Sequence, residues 1–103
     1  MTSTTGKSTR PIMVLMDLLG RRWTLRILWE LHRQPGLTFR ALRERCADLS
    51  PSVLNTRLTE LREARLIMLD DGYTLTPEGH ELGCLILPLY HWAEGHFGDS
   101  GNS

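Results

Sequence analysis

The sequence predicts a mainly α-helical domain that carries one short two-stranded β-hairpin. Apolar residues recur at the three- and four-residue spacing of amphipathic helices, and short apolar runs on both sides of Asp71-Gly72 give a hairpin signal. Pro, Gly and Ser/Thr positions separate these segments. At 103 residues the chain fits one domain, which we place at residues 10–97, between polar tails at 1–9 and 98–103 that we expect to be disordered.

Two helices are predicted in the first third of the domain. Pro11 opens the first, over residues 11–19, and Gly20 ends it. This helix is apolar around its whole circumference, which in so small a protein requires two partners. A second helix is predicted over residues 23–31, with Trp23 in its inward row, before a Gln-Pro-Gly break.

Two capped helices and a ribbon follow. Thr38 and Ser50 are predicted N-caps for helices over residues 39–46 and 51–65, joined by a tight connection. The inward row of the longer helix is Leu54, Leu58 and Leu61. The next segment predicts strands at 66–70 and 73–75, joined by a two-residue type I′ turn.

The last predicted helix is capped by Thr76, opened by Pro77 and bent at Pro88. One apolar stripe runs along it, consisting of Leu82, Leu85, Ile86, Leu89, Trp92 and Ala93. Because both terminal helices are apolar over so much of their surface, we expect them to form a homodimer interface.

This order of elements, two helices around a tight turn followed by a ribbon, is that of a winged helix-turn-helix. A recognition helix needs polar groups on its outer N-terminal turns to reach base edges, and Asn55 can pair bidentately with adenine. Arginines nearby would hold phosphates. The predicted DNA-binding residues are Arg40, Arg43, Ser50, Ser52, Asn55, Thr56, Arg57 and Thr59.

Charge is distributed unevenly along the chain, although the net charge is zero. Residues 1–65 hold all twelve basic residues and six acidic ones, whereas residues 66–103 hold six acidic residues and no Lys or Arg. Eleven of the twelve cations are Arg, which suits bidentate phosphate contacts, although a coding bias toward Arg would explain this equally well. The asymmetry favours double-stranded DNA as a partner of the first part of the chain.

Three segments resemble the HxlR branch of the MarR-like regulators: MDLLGRRWTLRILWEL, FRALRERCADLSPSVLNTRLTELREARLI and YTLTPEGHEL. The resemblance covers about residues 10–97. It falls on Leu19, Gly20, Trp23, Phe39, Leu42, Ser50, Pro51, Leu54, Arg57, Leu58, Leu61, Leu66, Tyr73, Leu75, Thr76 and Gly79. It implies a dimeric transcriptional regulator whose first and last helices form the dimer. If the Ser50-capped helices of two copies enter successive major grooves, the regulator is sequence-specific and binds an inverted-repeat operator as a homodimer.

The sequence departs from this family pattern at two places. Family members that sense oxidants or electrophiles usually carry a Cys before the Pro that opens the first helix, and Arg10 stands there instead. The family wing is usually longer and basic, whereas this ribbon ends in Asp70 and Asp71. Carboxylates at the tip would repel phosphates, which argues against wing contact with the minor groove.

Aromatic residues, histidines and cysteines indicate where further sites could lie. A pocket for a small aromatic effector could be lined by Trp23, Trp29, Tyr90 and Trp92, although core packing is the favoured role for these rings. No cofactor or metal is predicted, because the group of His80, Cys84 and His91 lacks a standard ligand spacing. Cys46 and Cys84 are interpreted as reduced thiols.

Other functional classes find little support. No catalytic constellation is recognisable, so we expect no enzymatic activity. No apolar run could span a bilayer and no signal-peptide pattern is present, so we expect a cytoplasmic location and no membrane partner. The main alternative to DNA binding is a winged helix used as a protein-interaction module, which the short acidic ribbon favours.

Overall fold

The computed structural model describes residues 10–98. Its elements are α1 (Pro11–Leu19), α2 (Thr24–Arg33), α3 (Phe39–Arg45), α4 (Pro51–Glu63), β1 (Ile67–Leu69), β2 (Tyr73–Leu75), α5 (Pro77–Ala93) and a π-helical segment (Glu94–Gly98). The predicted mainly helical fold with one hairpin is confirmed. The predicted tails lie outside the described residues, apart from Gly98, which ends the π-helical segment.

All three predicted N-caps are confirmed. The side-chain oxygens of Thr38, Ser50 and Thr76 each accept a hydrogen bond from the backbone N–H three residues further on, at 3.0, 3.1 and 3.0 Å. Pro51 and Pro77 occupy the first helical positions after two of these caps, where a missing N–H costs nothing. Local sequence chemistry therefore determines where α3, α4 and α5 begin.

Several boundaries lie within two residues of their predicted positions: α2 ends at Arg33 instead of residue 31, α3 ends at Arg45 instead of residue 46, and β1 spans Ile67–Leu69 instead of 66–70.

Two further helix ends differ because of a residue with a positive φ. Trp23 was placed inside the second helix, but its φ of 80° lies in the left-handed region, so it caps α2 instead. The fourth helix was predicted to reach Arg65, but it ends at Glu63 because Arg65 has a φ of 63°. The N–H of Leu66 then donates to the carbonyl of Leu61 at 3.0 Å, the bond that closes a Schellman-type helix end.

The hairpin connection is one residue longer than predicted. The register pairs Leu69 with Tyr73, which leaves residues 70–72 between the strands instead of two. Positive φ values occur at Asp71 (53°) and Gly72 (110°), as the Asp-Gly signal led us to expect. A Cβ at Gly72 would collide with the backbone of Gly36, so close approach of a second segment also requires glycine there.

The core lies in a part that we call the helix-turn-helix body, defined as α2, α3, α4, the hairpin and the loops that join them. Its buried apolar side chains are Ile27, Leu28, Leu31, Leu37, Leu42, Cys46, Leu49, Leu54, Leu58, Leu61 and Ile67. We call α1 and α5 the outer helices. No residue of α1 is buried, and in α5 only Gly79 is. Within residues 10–98 no helix is long and apolar enough to cross a membrane.

Candidate nucleic-acid interface

The outer face of α4 is exposed and polar, while its inner row anchors the helix in the core. The exposed members of the predicted site on this helix are Ser52, Asn55, Thr56 and Thr59, which lie at i, i+3, i+4 and i+7 and so share one face. The inner row of Leu54, Leu58 and Leu61 has at most 1% of its surface exposed. The predicted amphipathic arrangement of α4 is therefore present.

One hydroxyl on this face and the hydroxyl of the N-cap before it already take part in local hydrogen bonds. Thr56 Oγ1 donates to the carbonyl of Ser52 at 3.0 Å, and Ser50 Oγ accepts the capping bond. Within residues 10–98, the side-chain amide of Asn55 has no hydrogen-bond partner. Asn55 thus presents one acceptor and two N–H donors that need no internal bond to be broken before they meet a ligand.

The two predicted arginines of α3 are exposed. Arg40 forms a long, highly exposed ion pair with Glu44 at 3.8 Å, which contributes little to stability. Arg43 has no ion pair within the described part of the chain. Both guanidinium groups are accessible to an anionic partner.

Arg57 differs from the other predicted site residues because its guanidinium turns inward. Its Nε donates to the carbonyl of Arg22 at 3.0 Å, and its Nη1 forms an ion pair with Glu60 at 2.5 Å. Glu60 also pairs with Arg21 at 3.3 Å. Arg57 therefore links α4 to the segment between α1 and α2 and does not project beside Asn55.

A second cluster holds α3 against α2. Glu30, which is buried, accepts from Arg26 at 2.8 Å and from Arg45 at 3.2 Å. Burial alone would raise the pKa of Glu30, but the hydrogen bonds and charges of Arg26 and Arg45 outweigh it and hold the pKa below its ordinary value. Arg26 also donates to the carbonyl of Arg45 at 2.7 Å, which ties down the C-terminal end of α3.

Glu30 and Glu60, the two carboxylates that organise these arginines, were not among the residues predicted from the sequence. A local signal existed for both: Arg26 lies four residues before Glu30, and Arg57 lies three residues before Glu60. Four of the eleven arginines are consequently engaged in these two clusters, so the charge count overstated how many cations face a partner.

The tip of the hairpin carries Asp70 and Asp71, both exposed. Next to them Met68 and Leu69 are also exposed. The hairpin tip thus presents two anions and two apolar side chains, which is the opposite of a surface suited to phosphates.

The two cysteines are free and lie in contrasting surroundings. Cys46 is buried, and this burial raises the pKa of its thiol, which lowers its reactivity. Cys84 is exposed on α5.

An apolar cavity of about 520 Å³ lies between α1, α2 and α5. Two of the four aromatic residues predicted to line an effector pocket, Trp29 and Tyr90, line this cavity and stack on each other with centroids 4.0 Å apart. The other two, Trp23 and Trp92, do not line it. Among residues 10–98, no three His, Cys, Asp or Glu side chains are grouped as metal ligands, and the absence of a metal stays a prediction.

Comparison with known proteins relates this architecture to transcriptional regulators. The family model described as HxlR-like helix-turn-helix matches residues 18–100. The crystal structure of quinone-bound YodB from B. subtilis is similar at a TM-score of 0.74 and 28% identity, covering 82% of this chain and 96% of that one. The reduced form of the same transcriptional regulator is similar at a TM-score of 0.70 and 26% identity, covering 87% and 96%.

The activation domain of the phage T4 transcription factor MotA shares the fold, with a TM-score of 0.63 over 79% of this chain and 90% of that one. At 21% identity this likeness concerns the fold alone. The family match spans most of the domain and includes α4 and the hairpin. The chain therefore belongs to the HxlR-like helix-turn-helix family of DNA-binding transcription regulators.

Proposed function

We propose that the protein binds an inverted-repeat operator as a homodimer, with α4 of each copy in the major groove. The observation that carries this proposal is the polar face of α4, which is exposed along two turns while the opposite row is locked in the core. A helix held in this way presents side chains to base edges without further rearrangement.

Asn55 is the proposed base-reading residue. Its amide is free of internal hydrogen bonds, and an amide can contact adenine with a donor and an acceptor together. Ser52, Thr56 and Thr59 lie on the same face and can contact several bases, and Ser50 keeps its hydroxyl proton available for a phosphate. Arg40 and Arg43 are the proposed phosphate contacts, whereas the internal bonds of Arg57 support a structural role for it.

The outer helices support dimerisation. Their large apolar side chains are exposed in the single chain, above all Ile12, Val14, Leu85, Leu89 and Trp92. An apolar surface of this extent is rare on a monomeric protein and marks an interaction surface. A second copy that covers it would complete the fold and place two recognition helices on one DNA site.

The test is selection of bound sequences from random duplex DNA, followed by affinity measurements with Asn55→Ala and Arg43→Ala. We expect an inverted repeat whose half-site centres lie about 10 base pairs apart, one helical turn. Asn55→Ala should cost about 1–3 kcal/mol on the selected site and little on random DNA. Arg43→Ala should weaken binding to both and reduce the salt slope by about one.

Loss of sequence preference in Arg43→Ala, with none in Asn55→Ala, would contradict the assigned roles. Absence of any salt-dependent DNA binding would favour the second candidate function, a protein-interaction module. The observation behind that candidate is the hairpin tip, which combines Asp70 and Asp71 with exposed Met68 and Leu69.

We also propose that the apolar cavity accepts a small aromatic effector. The stacked pair of Trp29 and Tyr90 in its wall offers flat aromatic surface, and YodB has been seen with a quinone bound. Titration with 2-methyl-1,4-naphthoquinone, followed by Trp fluorescence in a Cys84→Ser background, tests this. Ala93→Phe, which fills the cavity, should abolish saturable quenching, while Ala64→Phe on an exposed surface should not.

A further inference from the structure

The loop between α1 and α2, residues 20–23, is fastened to the recognition helix by charged side chains. Arg21 pairs with Glu60 at 3.3 Å, and the carbonyl of Arg22 accepts from Arg57 Nε at 3.0 Å. Arg57 and Glu60 pair with each other along α4. The side chains of Arg57 and Glu60 are only 19% and 24% exposed, so the cluster is partly shielded from solvent and salt.

This loop has an unusual backbone. Trp23 has a φ of 80°, a conformation that a bulky side chain rarely adopts unless its surroundings impose it. The Arg22 guanidinium lies 5.7 Å from the centre of the Trp23 ring, and the carbonyl of the same Arg22 is the acceptor of the bond from α4. The contacts with α4 are therefore among those that hold the loop in its strained form.

The same loop continues directly from an outer helix. Leu19 and Gly20 line the apolar cavity, and the next residue is Arg21. Only the C-terminal end of α1 touches the core, where Leu18 and Leu19 pack against it partly buried, and no residue of α1 is fully buried. The side-chain cluster on the loop provides a direct connection between α1 and the DNA-reading helix.

We infer that Glu60 is a positioning residue: through Arg21 and Arg57 it holds the loop on α4 and so sets the placement of the recognition helix relative to the dimer-forming helix α1. This inference rests on the proposed function, because that placement matters when two copies must meet two half-sites. Glu60 contacts no base or phosphate in this assignment. Its effect on DNA is to keep the separation of the two recognition helices constant.

Charge alone and a positioning role predict opposite effects of Glu60→Gln on DNA affinity. Glu60→Gln removes a negative charge from a DNA-binding helix and frees two arginines, which by charge alone should strengthen binding to DNA. A positioning role predicts weaker binding to the preferred site and less discrimination between half-site spacings. The sign of the change therefore distinguishes the two explanations.

The experiment measures affinities for duplexes that carry the selected half-sites at centre-to-centre spacings varied one base pair at a time. Wild type should prefer one spacing. Glu60→Gln should bind that duplex about three- to tenfold more weakly and discriminate less among spacings. The matched control is Glu63→Gln, which removes an exposed charge one turn further along α4 and should bind the preferred duplex as well as wild type or better.

Arg21→Ala provides a second variant that leaves α4 unchanged. It should reproduce the loss of spacing preference. The double variant of Arg21→Ala and Glu60→Gln should lose less binding free energy on the preferred duplex than the sum of the losses of the two single variants. Stronger binding by Glu60→Gln with an unchanged spacing preference would overturn the inference while leaving the proposed function intact. If wild type binds no duplex in a salt-dependent manner, the proposed function fails, and the inference fails with it.

Discussion

Leu54, Leu58 and Leu61 in the helix-turn-helix body are almost completely buried, whereas Leu85 and Leu89 on α5 keep 69% and 67% of their surface exposed. Both sets follow helical periodicity, and in the sequence they look alike. The difference shows that the body has its own core, while the outer helices offer an apolar surface that the single chain does not cover. The body carries α4, and the uncovered surface of the outer helices is the one that we propose a second copy covers.

The largest expected effect concerns the core of the body. Leu58→Ala should lower the free energy of unfolding by about 2–5 kcal/mol, because it removes buried methyl groups and leaves a cavity. Denaturant unfolding followed by circular dichroism measures this change. Leu85→Ala is the matched control on the outer helices, and in dilute protein it should unfold nearly as wild type does.

A comparable loss in Leu85→Ala at every protein concentration would mean that α5 belongs to the core of a single chain. The proposed distinction between body and outer helices would then not hold.

The second prediction addresses the outer helices directly. Leu89→Glu should weaken the dimer by about 2 kcal/mol or more, because a charge would be buried in its apolar interface. Sedimentation velocity should show a folded monomer for this variant and a dimer for wild type at micromolar concentration. Glu81→Leu, which adds an apolar group elsewhere on α5, should not produce a monomer.

A wild-type protein that remains monomeric under these conditions would contradict the proposed homodimer. The exposed side chains of α1 and α5 would then require a different partner.

The local features of the fold could be predicted from the sequence, whereas those that depend on distant contacts could not. The caps at Thr38, Ser50 and Thr76 were predicted because they use only their own turn of helix. The conformation of Trp23 could not be, since its φ depends on contacts with surrounding residues. The same holds for the hairpin connection, where Gly36 packs against Gly72.

The site shows the same division. The exposed face of α4 followed from periodicity alone, and so did the inward leucine row. The inward turn of Arg57 could not be predicted, because its hydrogen-bond acceptor, the carbonyl of Arg22, lies 35 residues earlier in the chain. A count of arginines cannot distinguish one that faces a partner from one that fastens two elements together.

The third prediction tests the polar cluster that holds α3 on α2. Glu30→Gln should lower the free energy of unfolding at neutral pH by about 1–3 kcal/mol, since both oxygens of Glu30 accept from cationic arginines, whereas Gln has no charge and only one acceptor oxygen. The pKa of Glu30 is lowered in the folded protein, so its contribution is complete above the unfolded value of about 4.3 and is lost as pH falls through the folded value.

Denaturant unfolding at a series of pH values measures both effects. As the pH falls below the unfolded value and Glu30 becomes protonated in the folded protein, the stabilities of wild type and Glu30→Gln should converge, while Glu44→Gln, which removes an exposed carboxylate, should follow wild type throughout. A difference between wild type and Glu30→Gln that persists unchanged at low pH would show that packing, and not charge, accounts for the role of Glu30.

The smallest expected effect separates α4 from the hairpin as the element that reads DNA. Changing Asp70 and Asp71 to Asn removes two charges with little change of shape, and Asn tolerates the positive φ found at Asp71. If the tip lies near phosphates, DNA affinity should rise by up to about tenfold; if it lies far away, affinity should not change. Fluorescence anisotropy on the selected and random duplexes measures this, with the double change of Glu78 and Glu81 to Gln on α5 as a charge-matched control. Because neither outcome involves base contacts, the ratio of the affinity for the selected duplex to the affinity for random duplexes should stay constant. If the double change at the hairpin tip removed the preference for the selected duplex while Asn55→Ala kept it, the hairpin and not α4 would be the recognition element.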